Sequence, residues 1–263
     1  MGTGPKDLEI EVAVSTGARD AMVQVWQDHQ VQKFDARATL AKRRADVAEM
    51  FDGVAGRYDL MNDLMTGGLQ RAWRRELERS IAPGPGQRIL DLAAGTGTSS
   101  RRLADSGALV IPADLSFNML AEGRKRQPDL PFVNADALQL PFADDTFDAV
   151  TISYGLRNVE DTAAALSEMR RVTAPGGKIV IAEFSTPTWA PFRAVYREWI
   201  MATLPALARP FSSNPRAYDY LAESILAWPD QEKLAGLLSA AGWNDVEWKN
   251  LSGGIVALHR AVA

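Results

Sequence analysis

The run Arg88-Ile-Leu-Asp-Leu92, followed at once by Ala93-Ala-Gly-Thr-Gly97, constrains this chain more than any other stretch. A short apolar segment that meets a Gly-x-Gly turn predicts a buried strand folding tightly into a helix. The glycines leave room for a nucleotide-like ligand to approach the backbone. A second apolar run, 108–113, ends in Asp114, about where such folds place a ribose-binding acid. Ser100 stands where a dinucleotide site carries its third glycine or alanine. Asp91, in turn, stands where a methionine-sulfonium cofactor needs an anion beside its amino group. On this stretch alone, S-adenosylmethionine and a dinucleotide both remain open.

The rest of the chain repeats the same rhythm. Strands are predicted at 88–92, 109–113, 132–134, 147–153 and 178–184, with helices between them at 99–106, 117–126 and 161–172. Alternation of this kind implies an α/β fold with a mostly parallel, doubly wound sheet. A further helix over 228–241 starts at Pro229-Asp230 and stops at Gly242. Strands at 243–248 and 254–259, joined through Ser252-Gly-Gly254, then form a hairpin that suits a methyltransferase sheet better than a dinucleotide fold. Residues 47–81 read as helices broken at 59–63 and 66–68, whereas 1–45 form a separate extension with a helical arm at 18–34.

Residues 186–227 are too long for an ordinary connection. Trp189, Phe192, Tyr196, Trp199, Met201, Leu204, Leu207 and Phe211 alternate there with Arg193, Arg197 and Arg209. An insertion at this point is expected to cover the crevice at the carboxyl ends of the strands.

With no cysteine and only His29 and His259, the chain has no disulfide, no thiolate nucleophile and no multi-histidine metal centre, so no metal is expected. A net charge of −4 without a long basic block argues against nucleic acid as a partner. No apolar run reaches the ~18–20 residues that span a bilayer. The N-terminus lacks the apolar core of a signal peptide. A cytoplasmic protein is expected, with contact at the inner membrane face left open, and a homodimer likewise.

Five separated motifs carry a resemblance. They are Tyr58-Asp-Leu-Met-Asn-Asp-Leu-Met65 with Trp73, Ser153-Tyr-Gly-Leu-Arg-Asn-Val159, Pro175-Gly-Gly-Lys-Ile-Val-Ile-Ala-Glu-Phe-Ser185, Tyr220-Leu-Ala-Glu-Ser-Ile225, and Asn250-Leu-Ser-Gly-Gly-Ile-Val-Ala-Leu-His-Arg260. Together these resemble the ubiquinone/menaquinone biosynthesis C-methyltransferases, most closely the menaquinone branch, from about Val47 to the C-terminus. The resemblance implies a class I S-adenosylmethionine-dependent fold: Rossmann-like, seven-stranded, with an antiparallel last strand. It implies S-adenosylmethionine as cofactor and a polyprenylated naphthoquinol, demethylmenaquinol, as methyl acceptor. Three positions depart from the family's common pattern: Thr66, Gln70 and Thr98 stand where many members carry Ser, His and Asp. An imidazole base at position 70 is thereby excluded.

On this reading residues 46–263 form the methyltransferase domain, with lid helices at 46–81 and the covering insertion at 186–227. Asp91, Gly95, Thr96 and Gly97 are expected to face the methionine part of the cofactor, Asp114 the ribose, Asp136 and Ala137 the adenine, and Ser153 the crevice. Capping of a short helix is the competing role for Asp136. Arg157 and Asn158, just beyond the strand 147–153, are the candidates for stabilising the phenolate. The competing role for Arg157 is a turn cap or a pair with Asp161. Tyr58 and Asp59 are assigned to the lid, with Tyr58 over the methionine or the quinol. His259 should lie ~15 Å from the active edge at about 3.3 Å per residue, in a structural role. Arg74 and Arg75 read as a solvated helix face. A different aromatic or polyketide acceptor, and a non-catalytic scaffold, are the alternatives.

Overall fold

The computed structural model describes residues 66, 68–199 and 215–263, with side chains from 220 onward in the last stretch. The 1–45 extension, the lid residues up to 65 with Tyr58 and Asp59, and the centre of the insertion with Met201, Leu204, Leu207, Arg209 and Phe211 lie outside the described residues.

The apolar runs assemble into one seven-stranded sheet. Its strands are β1 (Arg88–Leu92), β2 (Leu109–Asp114), β3 (Val133–Asn134), β4 (Phe147–Ser153), β5 (Thr173–Phe184), β6 (Asn244–Leu251) and β7 (Val256–Val262), in the order β3-β2-β1-β4-β5-β7-β6. The first five are parallel, and β7 runs antiparallel to both its neighbours. This is the class I methyltransferase arrangement expected from the sequence. The strand order reverses between β1 and β4, and in sheets of this type a ligand crevice opens at that point.

Pleating divides β1 between two layers. Leu90 and Leu92 join Val150, Ile152, Ile179 and Ile181 under α4 (Thr162–Val172) and α7 (Gln231–Ala240), through Leu166, Met169, Leu234 and Leu238. Ile89 points the other way, with Val110, Ala149, Val180 and Leu258, and meets Leu77 and Ile81 of α1 (Leu69–Ile81) and Leu103 of α2 (Thr98–Ala104). By the same alternation Asp91 falls on the face that α1 and α2 cover.

The remaining helices are α3 (Phe117–Arg126), α5 (Ala190–Glu198) and α6 (Pro215–Ala227). Caps fix several starts: Ser116, Asp161 and Asp230 each accept from a backbone N–H inside the helix they begin. The helix expected over 228–241 therefore begins only at Gln231, because Asp230 caps it; Trp228 instead closes the preceding turn and is buried. The strand expected from Lys178 begins at Thr173, which pairs with Phe147, and a register shift between Phe147 and Ala149 absorbs the Gly176-Gly177 step. In the insertion, Tyr196 of α5 packs with Ala222 and Ile225 of α6 against Phe184 and Ile255, at the active edge.

Candidate functional site

A cleft opens at the carboxyl ends of β1, β2 and β4. Its floor is the loop after β1, where Ala93, Gly95 and Gly97 hold φ of +51°, +56° and +76°. Backbone bonds brace this loop, from Ala94 N–H to Ala113 O at 3.1 Å and from Gly97 N–H to Ala94 O at 2.9 Å. Asp114 ties it to the start of α3, accepting from Gly95 N–H through Oδ2 and from Ser116 N–H through Oδ1, both at 2.8 Å. The carboxylate still lines the cleft.

The two glycines differ in role. Gly95 lines the cleft, where a Cβ would meet nothing closer than Met119 Cε at 3.6 Å. Gly97 is not a lining residue, and a Cβ on it would meet the Phe132 ring at 2.7 Å. Its bareness serves the packing of Phe132 and the left-handed turn.

Asp91 is a strongly perturbed acid of the site. It is almost fully buried, and its hydrogen-bond partner among the described residues is the neutral Ser100 hydroxyl, at 2.6 Å. Burial pushes its pKa up to about 7, with the neighbouring Asp114 adding to the rise; Ser100 and the charge of Arg74 pull the other way. A carboxylate so poorly compensated is prepared for a cation. Ser100, which replaces the dinucleotide glycine, supplies the one short bond that steadies it.

Thr96, Asp136, Ala137, Ser153 and Asn158 all line the same cleft, as expected from the sequence. Asp136 also accepts from Leu138 N–H at 2.9 Å, so the turn-capping role and the cleft-facing role coexist. Ser153 Oγ is buried and has no hydrogen-bond partner among the described residues, and the same is true of Gln70 Oε1. Gln70 and Arg74 enter the cleft from α1. For Arg74 this corrects the solvated-face reading, which holds for Arg75 alone. The overlooked signal was the four-residue spacing of Gln70 and Arg74, which puts both on one helix face.

Arg157 lies in the 3-10 turn Leu156–Asn158 and does not line this cleft. Its Nη1 donates to Glu183 Oε1 at 2.8 Å and to the Tyr154 carbonyl, and its backbone N–H donates to Glu183 Oε2 at 3.2 Å. The guanidinium also sits over the Phe184 ring, 5.2 Å from its centroid. Its Nε is buried without a hydrogen-bond partner among the described residues. Asp161, the partner considered from the sequence, instead caps α4. Glu183 was missed, although a carboxylate at the end of the apolar run Ile179-Val-Ile-Ala182 is itself a sign of a buried polar contact.

Asn158 links the two sides, because its Oδ1 accepts from the Tyr220 hydroxyl of α6 at 3.2 Å. Burial raises the pKa of both Tyr196 and Tyr220, and the nearby Arg157 charge opposes it. His259 is held in the structural role expected. It is buried at mid-strand opposite Ile181, its Nε2 is 2.9 Å from Gln231 O, and burial lowers its pKa. No metal-binding cluster of His, Cys, Asp and Glu occurs among the described residues.

A parallel sheet with β7 reversed, a glycine loop after β1, and acids closing β1 and β2 define a methyltransferase of class I architecture. The chain belongs to the ubiE/COQ5 methyltransferase family, whose model matches residues 38–263. It is 61% identical to the demethylmenaquinone methyltransferase of Streptomyces avermitilis over 85% of this chain and 97% of that one. It is 57% identical to the protein of the same name from Streptomyces griseus, over 86% and 98%. A crystal structure of a SAM-dependent methyltransferase from Aquifex aeolicus shares the fold, with a TM-score of 0.53, 13% identity, and coverage of 72% of this chain and 88% of that one.

Proposed function

We propose that this chain transfers a methyl group from S-adenosylmethionine to a ring carbon of demethylmenaquinol, giving menaquinol. The observation that carries the reading is the poorly compensated Asp91 carboxylate beside the glycine loop, in a chain that matches demethylmenaquinone methyltransferases over nearly their whole length. The residues fit the cofactor. Asp91 offers an anion to the methionine ammonium. Asp114 lines the cleft while it accepts from Gly95 N–H and Ser116 N–H, and it offers its carboxylate to the ribose hydroxyls. Asp136 and Ala137 offer a carboxylate and an apolar contact to the adenine, and Ser153 a hydroxyl that has no hydrogen-bond partner among the described residues. When bound, S-adenosylmethionine supplies an electrophilic methyl on a sulfonium.

A ring carbon of the acceptor is nucleophilic once its neighbouring hydroxyl loses its proton, which for an ordinary phenol happens near pH ~10. The reduced quinol is therefore the substrate, and the site must favour its phenolate. Arg157, buried and paired with Glu183, contributes by holding the turn that carries Asn158 into the cleft. Being a permanent cation it takes no proton itself. Asn158 reaches the cleft while tied to Tyr220, so the insertion and the chemistry share one hydrogen-bonded unit.

Val195 of α5 and the flanking Trp189 and Trp199 are exposed. They offer the prenyl tail, or the bilayer that holds it, an apolar contact at the active edge. No described helix is long and apolar enough to cross a membrane. The test is transfer of labelled methyl to a short-tailed demethylmenaquinone. Product formed only after chemical reduction of the quinone is expected, and cofactor binding without transfer in either redox state would point to a different acceptor.

A further inference from the structure

The methionine end of S-adenosylmethionine is a zwitterion, and Asp91 answers only its ammonium half. We propose that Arg74 of α1 receives the carboxylate half and so determines the site's preference for an intact amino-acid group. The inference rests on the cofactor reading above and adds to it a residue that the sequence had placed on the solvent side.

The charge balance of the cleft calls for such a residue. Its charged lining residues, among those described, are Asp91, Asp114, Asp136, Glu160 and Arg74. A carboxylate entering beside four acids is repelled, and removing it from water without a counter-ion is costly. Arg74 is the one cation of that set.

Position and rigidity agree with the charge. Sheet pleating directs Asp91 to the face that α1 covers through Leu77 and Ile81. Arg74 sits on the cleft side of the same helix, one turn beyond the buried Gln70. The Arg74 charge is felt at Asp91, where it pulls against the effect of burial. The helix itself is pinned, because Trp73 Nε1, next along the chain, donates to Ser252 Oγ at 2.9 Å. Ammonium and carboxylate hang from a single carbon, so their receivers must be opposite charges facing one point. Asp91 and Arg74 are opposite charges lining one cleft, and a guanidinium fork suits a carboxylate in a way a single ammonium does not.

The test is calorimetric titration of the full chain with S-adenosylmethionine and with its decarboxylated form, which differ only in the carboxylate. Arg74→Gln is expected to weaken S-adenosylmethionine about ten- to hundredfold, the usual worth of a charge-assisted bond, and to leave the decarboxylated ligand unchanged. Arg74→Lys should fall between, and Asp91→Asn should weaken both ligands. Equal losses for both ligands in Arg74→Gln, or no loss for either, would overturn the assignment. Failure of the unsubstituted chain to bind either ligand would overturn the cofactor reading, and this assignment with it.

Discussion

Asp91 and Glu183 are both carboxylates buried on central strands of one sheet, with β4 between them. Glu183 is fully occupied inside the protein: it takes the Arg157 guanidinium, the Arg157 N–H and the Phe184 N–H. Among the described residues Asp91 is left with one neutral hydroxyl, and its pKa is pushed up to about 7. Equal burial thus gives two outcomes. Where the protein offsets the cost of desolvation itself, the carboxylate organises structure. Where it does not, a ligand must supply the missing charge, and that is the place to look for a site.

The sharpest way to break the contrast is to remove one member of the self-contained pair. Glu183→Gln should destabilise the fold by about 3–5 kcal/mol in denaturant titration, because it strands a buried guanidinium. Joint replacement of Arg157 and Glu183 by leucine should restore most of that loss without restoring turnover. Recovery of turnover in the double variant would remove the pair from the chemistry.

Asp91→Asn should act in the opposite sense on the empty protein. The folded pKa of Asp91 lies above its unfolded value of about 3.9, so the folded state holds the proton more tightly. Its contribution is then fully favourable below about pH 4 and is lost as pH rises toward about 7. Above pH 7 the asparagine variant should be the more stable by a few kcal/mol, and near pH 4 the two should converge. A parallel pair of pH–stability curves would mean that the ordinary carboxylate pKa persists in the fold.

The glycines sharpen the contrast at smaller scale. Gly97→Ala combines a left-handed φ with a 2.7 Å contact on Phe132, and should cost about 2–3 kcal/mol. Gly95→Ala meets only the backbone penalty, about 1 kcal/mol, and should lower cofactor affinity instead. Trp73→Phe, which loses the bond to Ser252, should cost about 1 kcal/mol in thermal or chemical unfolding.

The half of the site in the cleft around β1 was legible because its determinants are local. Asp91, Gly95, Thr96 and Asp114 lie at or just beyond the ends of strands that the apolar runs mark, and the bounds read for β1, β4 and α3 match the structure. The other half depends on contacts that no spacing encodes. Arg157 and Glu183 are 26 residues apart, and Tyr220 reaches Asn158 across 62. Arg74 was misread for a related reason. On a helix with Trp73 and Leu77 buried, a neighbouring arginine reads as solvated until the cleft beneath it is visible. Gly97 carried a familiar pattern whose packing role appears only once Phe132 is in place.

The division between the two halves is tested most directly by measuring cofactor dissociation constants and single-turnover methyl-transfer rates for Asp91→Asn and Glu183→Gln in parallel, at a temperature where both remain folded. Asp91→Asn is expected to lose affinity at least tenfold, the least expected when a buried charge-assisted bond is lost. Glu183→Gln is expected to keep its affinity and lose the transfer rate. Equal loss of affinity in both variants, or normal transfer in Glu183→Gln, would contradict the division.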